Sequence, residues 1–345
     1  MKRRFLGAFA PAMLCLAVVL LCLTLTGAAF ADGEMNPAEP NLLSVDEFLA
    51  LAEKEESPLP DCTFELFGQQ VNTATTTRLD YLKVKIGDEG LDTFRAVLPY
   101  LPKLSYLSLD RCETTDEAVA QLRDEFPEKE IVWRIFFDPF TCMTDVETIW
   151  ASCDLRDNTC TSLKYCTKLK NLDIGHSAMT DLSFLDYMPD LETLIIACSD
   201  FEDISHVASC KKLKYFECAE CCRLTDLSPI AELKNLEHLN VGGCTHIEDL
   251  SCLYCLDECK NLKRFYAQNM TSLSLNMEEE KKKFEELLPG VEMDFAFYPT
   301  LGSLNTGFWR FSRGSYTGHY VEEYQRIRDI FGYDDVINQP RLWYG

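Results

Sequence analysis

L-K-N-L-D-I-G-H-S-A-M-T-D-L-S-F-L-D-Y-M-P-D-L-E-T-L-I-I-A-C, residues 169–198, contains one short phrase twice. Apolar residues fall at Leu169, Leu172 and Ile174, then at Leu191, Leu194 and Ile196. Downstream the phrase returns as Leu213, Phe216, Cys218, as Leu236, Leu239, Val241, and as Leu262, Phe265, Ala267. The leading residues are 22, 22, 23 and 26 positions apart. A near-fixed period of this length marks a solenoid, in which each unit buries its apolar side only by stacking on its neighbours. Alternation within the phrase predicts a short strand, with the residues between the ladder positions on the opposite face.

The ladder reaches further toward the N-terminus. Leu104, Leu107 and Leu109 fit it well, with Cys112 at the ninth position, and Leu79, Leu82 and Val84 fit loosely. The stretch between them is long enough for a helix, and Leu91, Phe94, Val97 and Leu98 have helical spacing. Residues 116–126 read as a second helix, ended by Pro127, and 131–137 as a strand. Ser44 with Glu47 forms a capping box for a helix carrying Val45, Phe48, Leu49 and Ala52. Residues 62–67 alternate as a strand that closes the open end. Between the central strands come tighter turns: T-D-L-S from Thr180, D-I-S from Asp203, T-D-L-S-P from Thr225 and E-D-L-S from Glu248. The unit from Leu236 is longer by about one helical turn. Residues 278–288 read as a charged helix, and 291–297 as a strand.

The blocks L-K-N-L-D-I-G, L-E-T-L-I-I-A, L-K-Y-F-E-C-A and L-E-H-L-N-V-G-G-C, with D-L-S-P-I between them, resemble the short repeats of bacterial exported leucine-rich-repeat proteins, among them the internalins. The N-terminal half resembles families with longer α/β repeats. The usual asparagine position departs from the pattern, holding Cys112, Ser177, Ser199, Cys221, Cys244 and Met270. The resemblance implies an α/β leucine-rich-repeat solenoid, with a curved parallel sheet on the concave face, helices and turns on the convex face, and a cap at each end. It also implies a binding module and leaves the ligand open.

Four segments are expected: a signal peptide over 1–31, a linker and helix over 32–61, the solenoid over 62–299, and an aromatic, Arg-bearing tail or cap over 300–345. Lys2, Arg3 and Arg4 precede an apolar run that ends on Ala29-Phe30-Ala31, the layout of a secretory signal. An uncleaved anchor is the alternative, because the run could just span a bilayer. Export to the cell surface or beyond is therefore expected, with no stable membrane span after cleavage. No L-P-x-T-G sorting motif is visible. The net charge of −23 becomes more negative once the signal leaves. Such a surface repels phosphate backbones and argues against nucleic acid as a partner. Tyr324, Ile327, Ile330 and Phe331 lie at helical spacing in the tail, which is read as docked on the C-terminal cap; an exposed aromatic binding segment is the alternative.

Fifteen of the 17 cysteines lie beyond the signal, an odd number. Cys166, Cys210 and Cys259 precede a leading residue by three, a slot filled elsewhere by Met188, Leu233 and Leu101, so they act as small core residues. Two repeats apart, at ~10 Å, Cys166 and Cys210 cannot bridge. Cys221 and Cys244 occupy adjacent repeats, where a bridge is possible; Cys153 and Cys160, with Cys142 nearby, form the other plausible pair. Cys218-x-x-Cys221 and Cys252-x-x-Cys255 look like zinc knuckles, but Cys218 is a ladder position. Cys252, Cys255 and Cys259 share one helical stripe, so core packing is the simpler reading and no metal or cofactor is expected.

His176, Cys198 and Glu220 share the eighth repeat position. A thiol beside an imidazole is the minimum for thiol catalysis, but the order places the thiol, not the imidazole, in the middle. No Gly-rich oxyanion segment adjoins it. P-loop, dinucleotide, Ser-elbow and H-E-x-x-H motifs are missing from the sequence, so a non-enzymatic protein is expected. His206, His246 and His319 read as surface histidines. The outward-facing strand residues are the candidate ligand-binding face: Tyr81, Tyr106, Asp173, Tyr215, Glu217, His238, Asn240, Arg264 and Tyr266. Tyr, His and Arg supply the large contact area that recognition surfaces favour, and Gly175, Ala197, Ala219 and Gly242 flank them. The partner expected there is a protein or a glycan. The alternatives are a thiol-dependent enzyme at the Cys198/His176 rim, a structural envelope component, or simply the solvated side of a sheet.

Overall fold

The structure is a computed structural model that describes residues 42–54, 61–151, 155, 160–297 and 321–332, without the side chains of 321–324. The signal segment, its cleavage site, Cys153 and His319 lie outside the described residues. The chain divides into two compact units, Met1–Leu42 and Leu43–Gly345.

Helix α1 (Val45–Ala52) starts on the expected capping box: the Glu47 amide donates to Ser44 Oγ, and the Ser44 amide donates to Glu47 Oε2 at 2.8 Å. Phe48 of α1 stacks flat on Phe64, ring centroids 4.1 Å apart. Phe64 belongs to β1 (Thr63–Leu66), which pairs antiparallel with β2 (Gln69–Asn72). Phe64, Leu66 and Val71 all point into the core, so the hairpin covers the end of the solenoid.

Next come β3 (Arg78–Leu82), β4 (Tyr106–Asp110) and β5 (Glu130–Phe137), mutually parallel. Helix α2 (Gly87–Val97) connects β3 to β4, and α3 (Asp116–Glu125) connects β4 to β5. Leu91, Phe94, Val97, Val119 and Leu122 are buried, as the helical spacing predicts. The first unit sits in a different register from the one expected. Leu79 pairs with Leu107 and Tyr81 with Leu109, which makes Tyr81 a ladder residue, while Leu82 is 61% exposed. Tyr81 is tolerated in the core because its hydroxyl donates to the Leu66 carbonyl at 2.9 Å.

β6 (Phe140–Met143) folds back antiparallel on β5 and ends this four-stranded sheet. A second, all-parallel sheet then runs in chain order through β7 (Thr148–Trp150), β8 (Asn171–Asp173), β9 (Thr193–Ile195), β10 (Tyr215–Glu217), β11 (His238–Asn240), β12 (Arg264–Tyr266) and β13 (Glu292–Asp294). The expected continuous ladder is thus two sheets. β7 was hidden in the sequence because Ile149 alone stands in for the ladder leucine, pairing with Leu172. Helix α4 (Met277–Leu287), capped by Asn276, precedes β13.

On the opposite side of the core, five short 3₁₀ helices follow one another. Four begin with an Asp-x-Ser device in which one carboxylate oxygen accepts the Ser amide and the other accepts its hydroxyl, at Asp181–Ser183, Asp203–Ser205, Asp226–Ser228 and Asp249–Ser251. The carboxylate satisfies the first free amide of each turn, the task of an N-cap. The fourth, Ser251–Glu258, is eight residues long against five in the others, accounting for the extra turn of the Leu236 unit. Cys252 and Cys255 on it are half-buried and only Cys259 is buried, so the stripe is only partly turned inward.

At the asparagine position, thiols take over the carbonyl-satisfying role. Cys112 donates to Tyr81, Cys221 to Ile196 and Cys244 to Cys218, each to a backbone carbonyl of the preceding repeat, at 3.5, 3.2 and 3.2 Å. Cys221 and Cys244 are both free thiols, so the bridge considered between them is not made. In the slot before the leading residue, Cys259 donates to Leu233 at 3.2 Å. Cys166 instead lies 3.9 Å, sulfur to sulfur, from Cys142 of β6. No two of the described cysteines are joined to each other by a disulfide.

Candidate functional site

Each central repeat leaves its strand through a left-handed residue: His176, Cys198, Glu220, Gly243 and Asn269 have φ of 57°, 56°, 60°, 74° and 55°. Their amides donate to the next repeat, at Ala197, Ala219, Gly242, Gln268 and Ala296. The row proposed as a catalytic rim is therefore a row of backbone hinges. Burial raises the Glu220 carboxyl above its ordinary range. Among the described residues no cluster of three or more His, Cys, Asp or Glu could hold a metal ion.

The two sheets present different outer faces. On the four-stranded sheet it is an ionic carpet. Arg134 of β5 grips Asp110 of β4 with two hydrogen bonds of 2.7 and 2.9 Å, holding that carboxyl below its usual range against the opposing effect of burial. Arg78 grips Asp80 and lies 3.7 Å above the ring of Tyr106, whose hydroxyl donates to Asp145. Tyr106 is half-buried and faces outward as expected, whereas Tyr81 belongs to the core.

On the seven-stranded sheet the candidate residues fall in two neighbouring rows, Tyr215, His238 and Arg264 in one and Asp173, Glu217, Asn240 and Tyr266 in the other, and they are buried. Asp173, Tyr215, Glu217, His238, Asn240 and Tyr266 are each at most 1% exposed, and Arg264 is half-buried. Tyr215 stacks parallel on His238, centroids 4.3 Å apart, and Tyr266 meets the other side of His238 edge-on at 5.0 Å. The Tyr215 hydroxyl donates to Glu217 at 2.8 Å, the Tyr266 hydroxyl to Glu292 at 3.3 Å, and Arg264 pairs with Glu292. Burial, then Glu292, raises the Tyr266 hydroxyl far above its ordinary value. Burial also drives His238 well below 6.5, reinforced by the cations Arg264 and Arg326. Neither ring nitrogen of His238 has a hydrogen-bond partner among the described residues, nor does the Asn240 amide nitrogen or the Gln268 side-chain amide.

The structure reveals what lies on this face. Helix α5 (Val321–Phe331) packs on it, rather than on the C-terminal cap where the tail was expected. Ile327 and Phe331 join Ile195, Ala197, Tyr215, Ala219 and Tyr266 in a separate apolar cluster, with Trp150, Cys198 and Ile330 at its margin. Of these, Trp150 and the docking of α5 were missed from sequence. The run of apolar or small outward residues Ile195, Ala197 and Ala219 was the available signal, because a solvated sheet face has no need of them. His206 and His246 are surface residues as expected; His206 bonds Asp186, and His246 bonds the Cys222 carbonyl.

A family model described as "Leucine Rich repeats (2 copies)" matches residues 211–255. No curated protein matches in sequence. Among solved structures, internalin C2 from Listeria monocytogenes is 16% identical, with 64% of this chain and 80% of that chain covered and a TM-score of 0.31. An internalin (InlF) from the same organism is 17% identical, with 58% and 64% covered and a TM-score of 0.31. A chain of the octameric complex of Latrophilin 3, Unc5D and FLRT2 is 14% identical, with 58% and 65% covered and a TM-score of 0.37. The fold is a leucine-rich-repeat solenoid with a seven-stranded parallel sheet. No described helix is long and apolar enough to cross a membrane.

Proposed function

We propose that this is an exported, non-enzymatic binding scaffold that recognises a protein partner through the outer face of its seven-stranded sheet. The observation that carries the reading is the composition of that face. Across three strands Tyr215 stacks face to face on His238 and Tyr266 meets His238 edge-on, beside a floor of Ile195, Ala197 and Ala219. Such a band contributes nothing to the repeat core, which closes on the other side of the strands. Aromatic anchors around an apolar floor are the anatomy of a protein-binding hot spot. A protein fits it better than a glycan does, because α5 already covers it with aliphatic and aromatic side chains. Export rests on the basic–apolar–Ala-x-Ala opening of the sequence.

The experiment is quantitative affinity capture with the mature chain and with the Tyr215→Ala plus Tyr266→Ala variant, both checked for a cooperative thermal transition. A partner bound by the mature chain and lost from the variant supports the reading. Equal recovery by both would reject this face. Full catalytic competence of an identified activity in wild type, abolished by Cys198→Ser alone, would replace binding with thiol chemistry.

A further inference from the structure

Helix α5 lies on the sheet as a ligand helix lies in a receptor groove. Ile327 is fully buried and Phe331 is 5% exposed. Four residues apart, they share one side of the helix. Ile330 packs beside them, and Arg326 lies 5.9 Å from the centroid of the Tyr215 ring. The solvent side carries Gln325 and Asp329, bonded to each other at 2.8 Å. Anchors at i, i+3 and i+4 over an apolar groove define helix-in-groove recognition. The sheet side matches them: Ala197 and Ala219 let the helix backbone approach, and Tyr215 and Tyr266 supply aromatic surface. The buried carboxylates Asp173 and Glu217 share this face, and the helix facing them carries the cations Arg326 and Arg328.

The helix is also separable from the fold. No described side chain of α5 belongs to the repeat core; Ile327 and Phe331 belong to a cluster of their own. Twenty-three residues stand between Phe297 and Val321.

The geometry points to a helix receptor: the partner of this face is an amphipathic helix with an Arg-Ile-x-x-Ile-Phe pattern of anchors, and α5 is the intramolecular occupant it replaces. This rests on the protein-binding reading and supplies its partner class. Because α5 belongs to the same chain it competes intramolecularly, so a free helix binds more weakly until α5 is released.

The probe is a fluorescent synthetic peptide of residues 321–332, titrated by anisotropy onto the full mature chain and onto full-length Ile327→Asp plus Phe331→Asp. The expected result is at least tenfold tighter binding to the variant, abolished by adding Tyr215→Ala and by placing the same two aspartates in the peptide. Equal affinity for both chains, or no binding to a variant that keeps its cooperative unfolding, would overturn the inference. If the variant does not fold, methyl-labelled wild type decides. Unlabelled peptide in excess should shift the Ile327 and Ile330 methyl signals toward those of the free helix, and unmoved signals would overturn the inference. A dimer that exchanges α5 between two copies, dissolved by the peptide, would overturn the assignment to a separate partner. A protein captured equally by wild type and the α5 variant, while the peptide binds neither, would sink the helix receptor and leave the binding reading standing.

Discussion

Acid should loosen this protein through one imidazole. His238 sits between Tyr215 of β10 and Tyr266 of β12, fully buried, with no hydrogen bond to either nitrogen among the described residues. The charged groups around it are Arg264 on β12 and Arg326 on α5, both cations, with Glu217 engaged by the Tyr215 hydroxyl and Glu292 by Tyr266 and Arg264. Burial first, and the two arginines second, hold His238 neutral well below 6.5. The unfolded chain binds this proton below about 6.5 and the folded chain does not, so stability is fully present above that pH and falls as the solution is acidified. The slope approaches about 1.4 kcal/mol per pH unit over the range in which the unfolded imidazole is charged and the folded one is not. Urea titrations from pH 7.5 to 5 on wild type and His238→Phe isolate the effect, because the phenyl ring keeps the stacking position and cannot take up a proton. All other titrating groups are common to both chains and cancel in the difference. The expected result is a stability gap that widens in favour of the variant below pH 6.5. Parallel pH profiles would refute the assignment of a neutral, desolvated imidazole at this position.

Three further outcomes follow from the same geometry. Cys221→Ala removes the thiol that donates to the Ile196 carbonyl at 3.2 Å and should cost about 1–3 kcal/mol, measured by denaturant midpoint, with Cys221→Ser recovering most of it. Gly243→Ala should cost about 1–2 kcal/mol because the backbone is left-handed there, at φ 74°, and the added methyl would fall 2.7 Å from Glu220 Oε1; in a Glu220→Ala background the penalty should shrink, and an unchanged penalty would show that the contact is immaterial. Native-state alkylation followed by mass spectrometry should mark Cys222 first, then the half-buried Cys62, Cys198, Cys252 and Cys255, and leave Cys166, Cys210, Cys218, Cys221 and Cys244 unmodified until the chain unfolds. Early labelling of Cys221 would contradict its burial.

The strands were legible wherever two constraints agreed, the repeat length and the in–out alternation. Leu169 to Ala267 satisfies both, and β8 to β12 fall where the ladder puts them. The reading slipped where only one constraint held. At the first unit the exposed Leu82 imitates a ladder leucine, and the true ladder residue is a tyrosine whose hydroxyl the fold satisfies at Leu66. At β7 the ladder leucine is replaced by Ile149 and the next ladder position by Ala151, so the apolar signal is too thin to find. The break between the two sheets also left no sequence mark: the short β6, F-T-C-M, lacks in–out alternation, and only its antiparallel pairing ends the sheet. The candidate face shows a different limit. Its residues follow from alternation alone, and all of those on the seven-stranded sheet lie on the predicted side of their strands. Their burial does not follow, because it depends on a helix more than a hundred residues beyond β7 to β10, which it mostly covers, and periodicity gives the apolar side of α5 but never its address. Composition comes closest to supplying one. A sheet side meant for water has no use for Ile195, Ala197 and Ala219 in successive outward positions, and a helix that meets only water has no use for Ile327, Ile330 and Phe331 on one side. Two unpaired apolar surfaces in a strongly acidic chain are each costly in isolation, at about 25 cal/mol per Å² left in water. Their mutual burial is the arrangement that removes both costs at once, and any partner of this face must offer at least as good a match.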